Sequence, residues 1–132
     1  MLKQKIIAIA AAALAACSIS ATAFAATPFG PWTLTAGGSE MKTTSVKKTD
    51  DLYALITVKD GLAGGDYYAT FTVYNYTSDK VAAGPANLWI NGSHRLNYAS
   101  GKGINGERYY LGCNLEKQAN AVRLTISGEW TP

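Results

Sequence analysis

The chain has 132 residues, of which 48% are hydrophobic and 16% are charged, and its formal net charge is +3. Lys3 and Lys5 belong to the N-terminal segment described next, so ten basic residues against nine acidic ones remain in the rest of the chain. Without a basic cluster, this balance excludes the electrostatic attraction on which nucleic-acid binding depends. One histidine and, beyond residue 25, one cysteine also exclude a zinc site built mainly from these residues.

Residues 1–25 have the pattern of a cleavable export signal. Two lysines open the chain, residues 6–16 are uncharged and mostly apolar, and Ala23-Phe24-Ala25 fits the small-residue rule of signal peptidase. The apolar stretch is shorter than the roughly 20 residues that span a bilayer. We therefore expect cleavage after Ala25 and a single exported domain over residues 26–132.

A lipoprotein signal is the alternative interpretation of the same segment. Cys17 follows Leu-Ala-Ala, which resembles the site where a cysteine is acylated and becomes the new N-terminus. The mildly apolar residues 18–26 are atypical of a lipoprotein tether, however. The sequence favours a secreted or cell-surface protein released at Ala25 over a lipid anchor at Cys17.

In residues 26–132, apolar and polar side chains alternate with a period of two, which is typical of half-buried strands. The clearest alternations run from Leu52 to Lys59, from Tyr67 to Tyr74 and from Val122 to Ser127, and they are rich in residues that strands favour. Shorter candidates are Trp32–Ala36, Thr43–Lys47, Asn87–Ile90 and His94–Tyr98. Seven to nine short strands in one domain predict an all-β antiparallel sandwich, with a small barrel as the alternative.

The clearest turn signal is Asn91-Gly92, because both residues tolerate the positive φ of a type I′ hairpin. Such a turn places Trp89 opposite His94. His94 is the only histidine and hence the one candidate base for a serine or cysteine nucleophile, but no nucleophile motif surrounds it. We interpret it as an exposed ring or one that stacks on Trp89.

The segment from Asp60 to Asp66 places two carboxylates in a glycine-rich loop. Carboxylate oxygens suit calcium, but the spacing does not match an EF-hand loop. A hairpin connection between strands that end near Lys59 and begin at Tyr67 explains the segment without a metal. Calcium binding by this loop stays an open alternative, and the sequence predicts no cofactor.

Cys113 lies in the alternation of Tyr109, Leu111, Cys113 and Leu115, which defines the apolar side of a strand. We therefore expect its thiol to be buried and unreactive. The same reasoning places Trp130, in the last alternation, in the core.

Tyrosines concentrate on one side of a single predicted strand. Tyr68, Tyr74 and Tyr76 share the side opposite to its apolar positions, so an unbroken strand would display them on one exposed sheet face. Such a face can stack on sugar rings or dock a protein. It can equally stabilise the sheet through contacts between strands. These three residues are the candidate partner-binding site.

Four segments resemble parts of a family of small exported proteins of Gram-positive bacteria that has no assigned function. They are Phe29–Leu34, Phe71–Asn75, residues 107–114 and the ending at 124–132, which reads Leu-Thr-Ile-Ser-Gly-Glu-Trp-Thr-Pro. The resemblance implies an exported β-sandwich and carries over no site residue. Cys113 departs from it, since a small apolar residue is expected there.

No combination of acid, base and nucleophile typical of an enzyme appears in the sequence. We therefore expect a non-catalytic secreted or cell-surface protein that binds a cell-envelope glycan or protein through its aromatic strand face. The alternative is a secreted toxin or bacteriocin-like effector, which the small size, the export signal and the slight positive charge suggest.

Overall fold

The computed structural model describes residues 26–65, 67–116 and 123–132, so the predicted export signal and Cys17 lie outside the described residues. The described part of the chain forms nine strands and no helix. The strands are β1 Thr27–Thr35, β2 Met41–Lys42, β3 Val46–Lys47, β4 Ala54–Ala63, β5 Ala69–Asn75, β6 Val81–Leu88, β7 Ile90–Leu96, β8 Arg108–Asn114 and β9 Arg123–Thr131. In this part of the chain there is accordingly no helix with the length and apolarity that crossing a membrane requires.

Two antiparallel sheets pack together, which confirms the predicted all-β sandwich. The first sheet has the order β1-β9-β4-β7, and the second has the order β2-β8-β5-β6, with β3 also paired to β8. The chain passes from one sheet to the other six times: between β1 and β2, β3 and β4, β4 and β5, β6 and β7, β7 and β8, and β8 and β9. The register places four of these crossings at the end of the second sheet where β5 begins, which we call the crossover end: β1–β2, β4–β5, β6–β7 and β8–β9. The β3–β4 and β7–β8 crossings lie at the opposite end.

The core lies between the sheets and follows the predicted alternation. In one inner strand of each sheet, three successive inward side chains are at most 1% exposed: Ala54, Ile56 and Val58 of β4, and Ala69, Phe71 and Val73 of β5. Cys113 and Trp130 are buried among them, as expected. Each large apolar side chain buried in this way contributes about 1.5–3 kcal/mol. Leu52, which precedes β4, is 59% exposed, and Val122 lies outside the described residues.

The predicted hairpin turn at Asn91-Gly92 is wrong. Both residues lie within β7, where Gly92 pairs with Val58 of β4. Gly92 has a φ of 130°, and the register between β4 and β7 shifts directly beside it. At this shift the Asn91 side chain accepts a hydrogen bond from the Leu62 amide at 2.8 Å. The turn does not form because β6 and β7 belong to different sheets and cannot fold back on each other as a hairpin.

The predicted pairing of Trp89 with His94 is wrong for the same reason. Trp89 lies at the crossing between β6 and β7, and its ring contacts Tyr68. His94 pairs with Ile56 of β4, and its Nε2 lies 2.8 Å from the carbonyl oxygen of Ile90.

The connection between β4 and β5 is a crossing between sheets, so the predicted hairpin between them is also wrong. Asp60 lies within β4, opposite Ser127 of β9, and Asp66 lies outside the described residues. Among the residues that are described, no group of three or more His, Cys, Asp or Glu side chains could hold a metal ion.

Candidate binding face

The outward surface of β5 and its neighbours β6 and β8 carries the candidate tyrosines, and we call it the tyrosine face. Successive side chains of a strand alternate between its two sides, so Thr70, Thr72 and Tyr74 point away from the core. The strand is shorter than the predicted one. Tyr68 lies directly before it and Tyr76 directly after it.

At the crossover end of this face, two aromatic rings pack together. The ring centroids of Tyr68 and Trp89 are 4.6 Å apart at an interplanar angle of 49°. Trp89 and Tyr67 are both 44% exposed, whereas Tyr68 is half-buried and its hydroxyl donates to Glu116 Oε2 at 3.4 Å. The carbonyl of Trp89 accepts a hydrogen bond from the Gly64 amide at 2.9 Å, which links the β6–β7 crossing to the β4–β5 crossing.

At the opposite end of the face, Tyr74 stacks on Tyr110, its partner in the β5–β8 register. The centroids are 4.9 Å apart and the rings are inclined by 20°. The Lys42 ammonium lies 5.7 Å from the ring centroid of Tyr74 and 5.3 Å from that of Tyr110, within cation–π range of both. This arrangement leaves Tyr110 only 8% exposed and Tyr74 half-buried.

Carboxylates accept the hydroxyl hydrogens of both stacked tyrosines. The Tyr74 hydroxyl donates to Glu40 Oε2 at 2.8 Å, and the Tyr110 hydroxyl donates to Asp79 Oδ1. Burial, with Glu40 as the second cause, raises the pKa of Tyr74 to about 12. Burial, followed by Asp79, raises the pKa of Tyr110 well above its ordinary value. Both hydroxyls therefore remain hydrogen-bond donors at neutral pH.

Tyr76 is 59% exposed and borders a groove beside this pair. The groove has a volume of about 310 Å³ and is also lined by Lys42, Asp79, Tyr110 and the hydroxyl-bearing segment 43–45. Its size lies at the lower end of the range for small-ligand sites. Its lining combines aromatic surface with hydrogen-bonding groups, so it can hold a small polar ring.

A different cluster, opposite the crossover end, surrounds a buried lysine in the connection between β3 and β4. Lys48 has a fully buried side chain whose Nζ donates to the backbone oxygens of Leu52 at 2.6 Å and Pro132 at 3.1 Å. It also pairs with Asp50 at 3.1 Å and lies 4.8 Å from the ring centroid of Tyr98. Its hydrogens are used within the fold, so Lys48 has a structural role.

The structure divides the predicted site residues between two places. Tyr68 lies at the crossover end, and Tyr74 and Tyr76 lie at the other end, with the buried Thr70 and Thr72 between them. Sequence reasoning missed the groups that contact these tyrosines, namely Glu40, Lys42, Asp79, Trp89, Tyr110 and Glu116. The alternation of β8 carries a signal for Tyr110, because buried neighbours on both sides turn it outward. The carboxylates come from other strands and loops, and no local pattern marks them.

Comparison with protein-family models, with curated proteins and with solved structures finds no match to this chain.

Proposed function

We propose that this chain is an exported, non-catalytic protein of the cell surface or its surroundings that binds a glycan or protein of the cell envelope through the tyrosine face. The pattern of residues 1–25 and the resemblance to small exported Gram-positive proteins support export. The observation that carries the binding function is the exposure of Trp89 and Tyr76 at the two ends of one sheet face.

Each exposed ring lies beside aromatic side chains that the fold already holds in place. Trp89 contacts Tyr68, whose hydroxyl is bonded to Glu116, and Tyr76 borders the groove formed with Tyr110. Rings on a rigid sheet bind with little loss of conformational freedom, because few torsions remain to be fixed on binding. Exposed aromatic side chains are also enriched in the centres of binding sites.

The direct test compares the unchanged protein with the double variant Trp89→Ala/Tyr76→Ala in a sedimentation assay with isolated Gram-positive cell envelopes. We expect the double variant to lose at least about tenfold in affinity, since aromatic contacts in binding sites commonly contribute more than 1 kcal/mol each. Circular dichroism and thermal unfolding should show that the variant stays folded, because both side chains are substantially exposed.

The matched control is Leu52→Ala, which removes an equally exposed apolar side chain outside the tyrosine face. This control should bind envelopes as the unchanged protein does. Equal binding by the folded double variant and the unchanged protein would overturn the proposal.

A further inference from the structure

The two exposed aromatic positions of the tyrosine face are separated by the length of one strand. Tyr68, which contacts Trp89, and Tyr76 are eight residues apart along β5 and its flanks. At about 3.3 Å per residue this separation is roughly 26 Å. A ligand that touches both ends is therefore an extended chain and not a single small molecule.

Asparagine side chains flank the buried Thr70 on the surface between the two ends. Thr70 pairs with Asn87 of β6 on one side and with Asn114 of β8 on the other. The Thr70 hydroxyl donates to the Asn87 side-chain oxygen at 2.9 Å, and Asn87 is exposed while Asn114 is half-buried. The centre of a typical protein–protein interface is more apolar and more aromatic than this strip. Side-chain amides suit the hydroxyl groups of a sugar chain, since they both donate and accept hydrogen bonds.

Three tyrosines of the face each donate a hydrogen bond to a carboxylate from another part of the chain. Tyr68 donates to Glu116, Tyr74 to Glu40 and Tyr110 to Asp79. A carboxylate can accept more than one hydrogen bond, so Glu40 and Asp79 can also accept one from a ligand hydroxyl.

The charge of these contacting groups selects the class of ligand. Beside the groove, the two carboxylates of Glu40 and Asp79 accept the hydroxyl hydrogens of Tyr74 and Tyr110, whereas one ammonium, that of Lys42, lies against their rings. This excess of negative charge repels an anionic polymer. An uncharged chain of sugar rings meets no such repulsion and offers C–H faces to the exposed rings.

We propose that the ligand of the tyrosine face is an uncharged, extended polysaccharide of pyranose rings that lies along β5. Its rings stack on Trp89 at the crossover end and enter the groove beside Tyr76 at the other end. This inference rests on the proposed binding function and specifies its ligand. Two weak contacts on one polymer act together, because the second contact forms at a high effective concentration.

The test uses oligosaccharides of β-1,4-linked glucose and of β-1,4-linked N-acetylglucosamine, from the disaccharide to the octasaccharide, in isothermal titration calorimetry. We expect affinity to rise at least about tenfold between the disaccharide and the chains that span β5, since bivalent contact multiplies affinity. Trp89→Ala and Tyr76→Ala, made separately, should each reduce the affinity for the longest oligomer to nearly that for the disaccharide. Leu52→Ala should leave the whole series unchanged.

The charge argument is tested by affinity electrophoresis through gels that contain hydroxyethyl cellulose or carboxymethyl cellulose. The neutral polymer should retard the protein more than the anionic polymer does at low salt. Stronger retardation by the anionic polymer, or an affinity that does not depend on oligomer length, would overturn the inference.

Envelope binding separates this inference from the function on which it rests. If the aromatic double variant loses envelope binding but the unchanged protein binds neither series of oligosaccharides, the binding face stands and the saccharide ligand is wrong. Loss of binding after protease treatment of the envelopes would then identify a protein partner. If the unchanged protein binds neither envelopes nor oligosaccharides, both proposals fail.

Discussion

The carboxylate of Glu40 occupies the space that a side chain at residue 112 would fill. A Cβ atom on Gly112 would lie 2.6 Å from Glu40 Cδ and 2.8 Å from Tyr74 Cε2. Gly112 pairs with Thr72 of β5 and Lys42 of β2, so this close approach lies at the centre of the second sheet. The glycine thereby permits the hydrogen bond that Tyr74 donates to Glu40.

Gly112→Ala should displace the Glu40 carboxylate and break its hydrogen bond with Tyr74. We expect the free energy of unfolding to fall by about 1 kcal/mol, the typical contribution of one such bond. Urea unfolding of Gly112→Ala, Glu40→Ala and the double variant measures the coupling between the two sites. A loss from Gly112→Ala that is just as large when Glu40 is already alanine would contradict this explanation.

The buried tyrosines predict a loss of stability at alkaline pH. Burial raises the pKa of Tyr74 from 10.0 to about 12, and it raises the pKa values of Tyr98 and Tyr110 as well. The unfolded chain releases these protons near pH 10.0, whereas the folded chain retains them. The free energy of unfolding should therefore be constant with respect to these groups below pH 10 and fall as the pH rises from about 10 to 12.

Urea unfolding at a series of pH values across this window measures the slope. Tyr110→Phe should make the slope shallower, because one of the contributing hydroxyls is absent. Tyr67→Phe, which removes the hydroxyl of an exposed tyrosine, is the matched control. Stability that stays level to pH 12 would show that the hydroxyls are not protected by burial.

Lys48→Met should destabilise the fold strongly, because the ammonium donates to the backbone oxygens of Leu52 and Pro132 as well as to Asp50. We expect a loss of about 3 kcal/mol in the free energy of unfolding, since the backbone oxygens of Leu52 and Pro132 lose their donor and an unsatisfied buried acceptor costs about 1–3 kcal/mol. The adjacent Lys47 is exposed, so Lys47→Met is the matched control and should cost less than about 0.5 kcal/mol. Thermal unfolding of the two variants side by side decides the matter, and equal melting temperatures would show that Lys48 is dispensable.

Much of the sandwich could be predicted from the sequence, because alternation reports directly which side chains of a strand point inward. Phe71, Val73 and Cys113 illustrate this, since all three are fully buried where the pattern placed them. Which strands pair with each other could not be predicted from local sequence. Asn91-Gly92 has the local chemistry of a hairpin turn, but β7 pairs with β4. Gly92 adopts its positive φ within that strand pairing and not in a turn.

The contacts of the candidate site were predictable to a smaller extent. The outward direction of Tyr74 follows from alternation, whereas its bond to Glu40 joins residues 34 positions apart and depends on the position of β2 beside β8. Lys48 shows the same limit, because it bonds to a residue 84 positions away and its surrounding sequence is polar. Local patterns report the direction of a side chain, but such partners are set by the packing of distant segments.

Cys113 should react with a thiol reagent only when the sandwich opens. Its side chain is fully buried, it lies opposite Phe71 in the register, and burial raises the pKa of its thiol. A thiol reagent needs both access and the thiolate, and the folded protein provides neither. In native protein at neutral pH we therefore expect labelling at least about a hundredfold slower than in denatured protein, because reaction awaits rare opening.

The matched control is Ser100→Cys in a Cys113→Ala background, since Ser100 is exposed in the loop between β7 and β8 and should be labelled at nearly the same rate in both states. The dependence of the Cys113 rate on low concentrations of urea shows whether the opening is local or global, because global unfolding exposes far more surface. Equal labelling rates for Cys113 in native and denatured protein would mean that this strand does not place the thiol in the core.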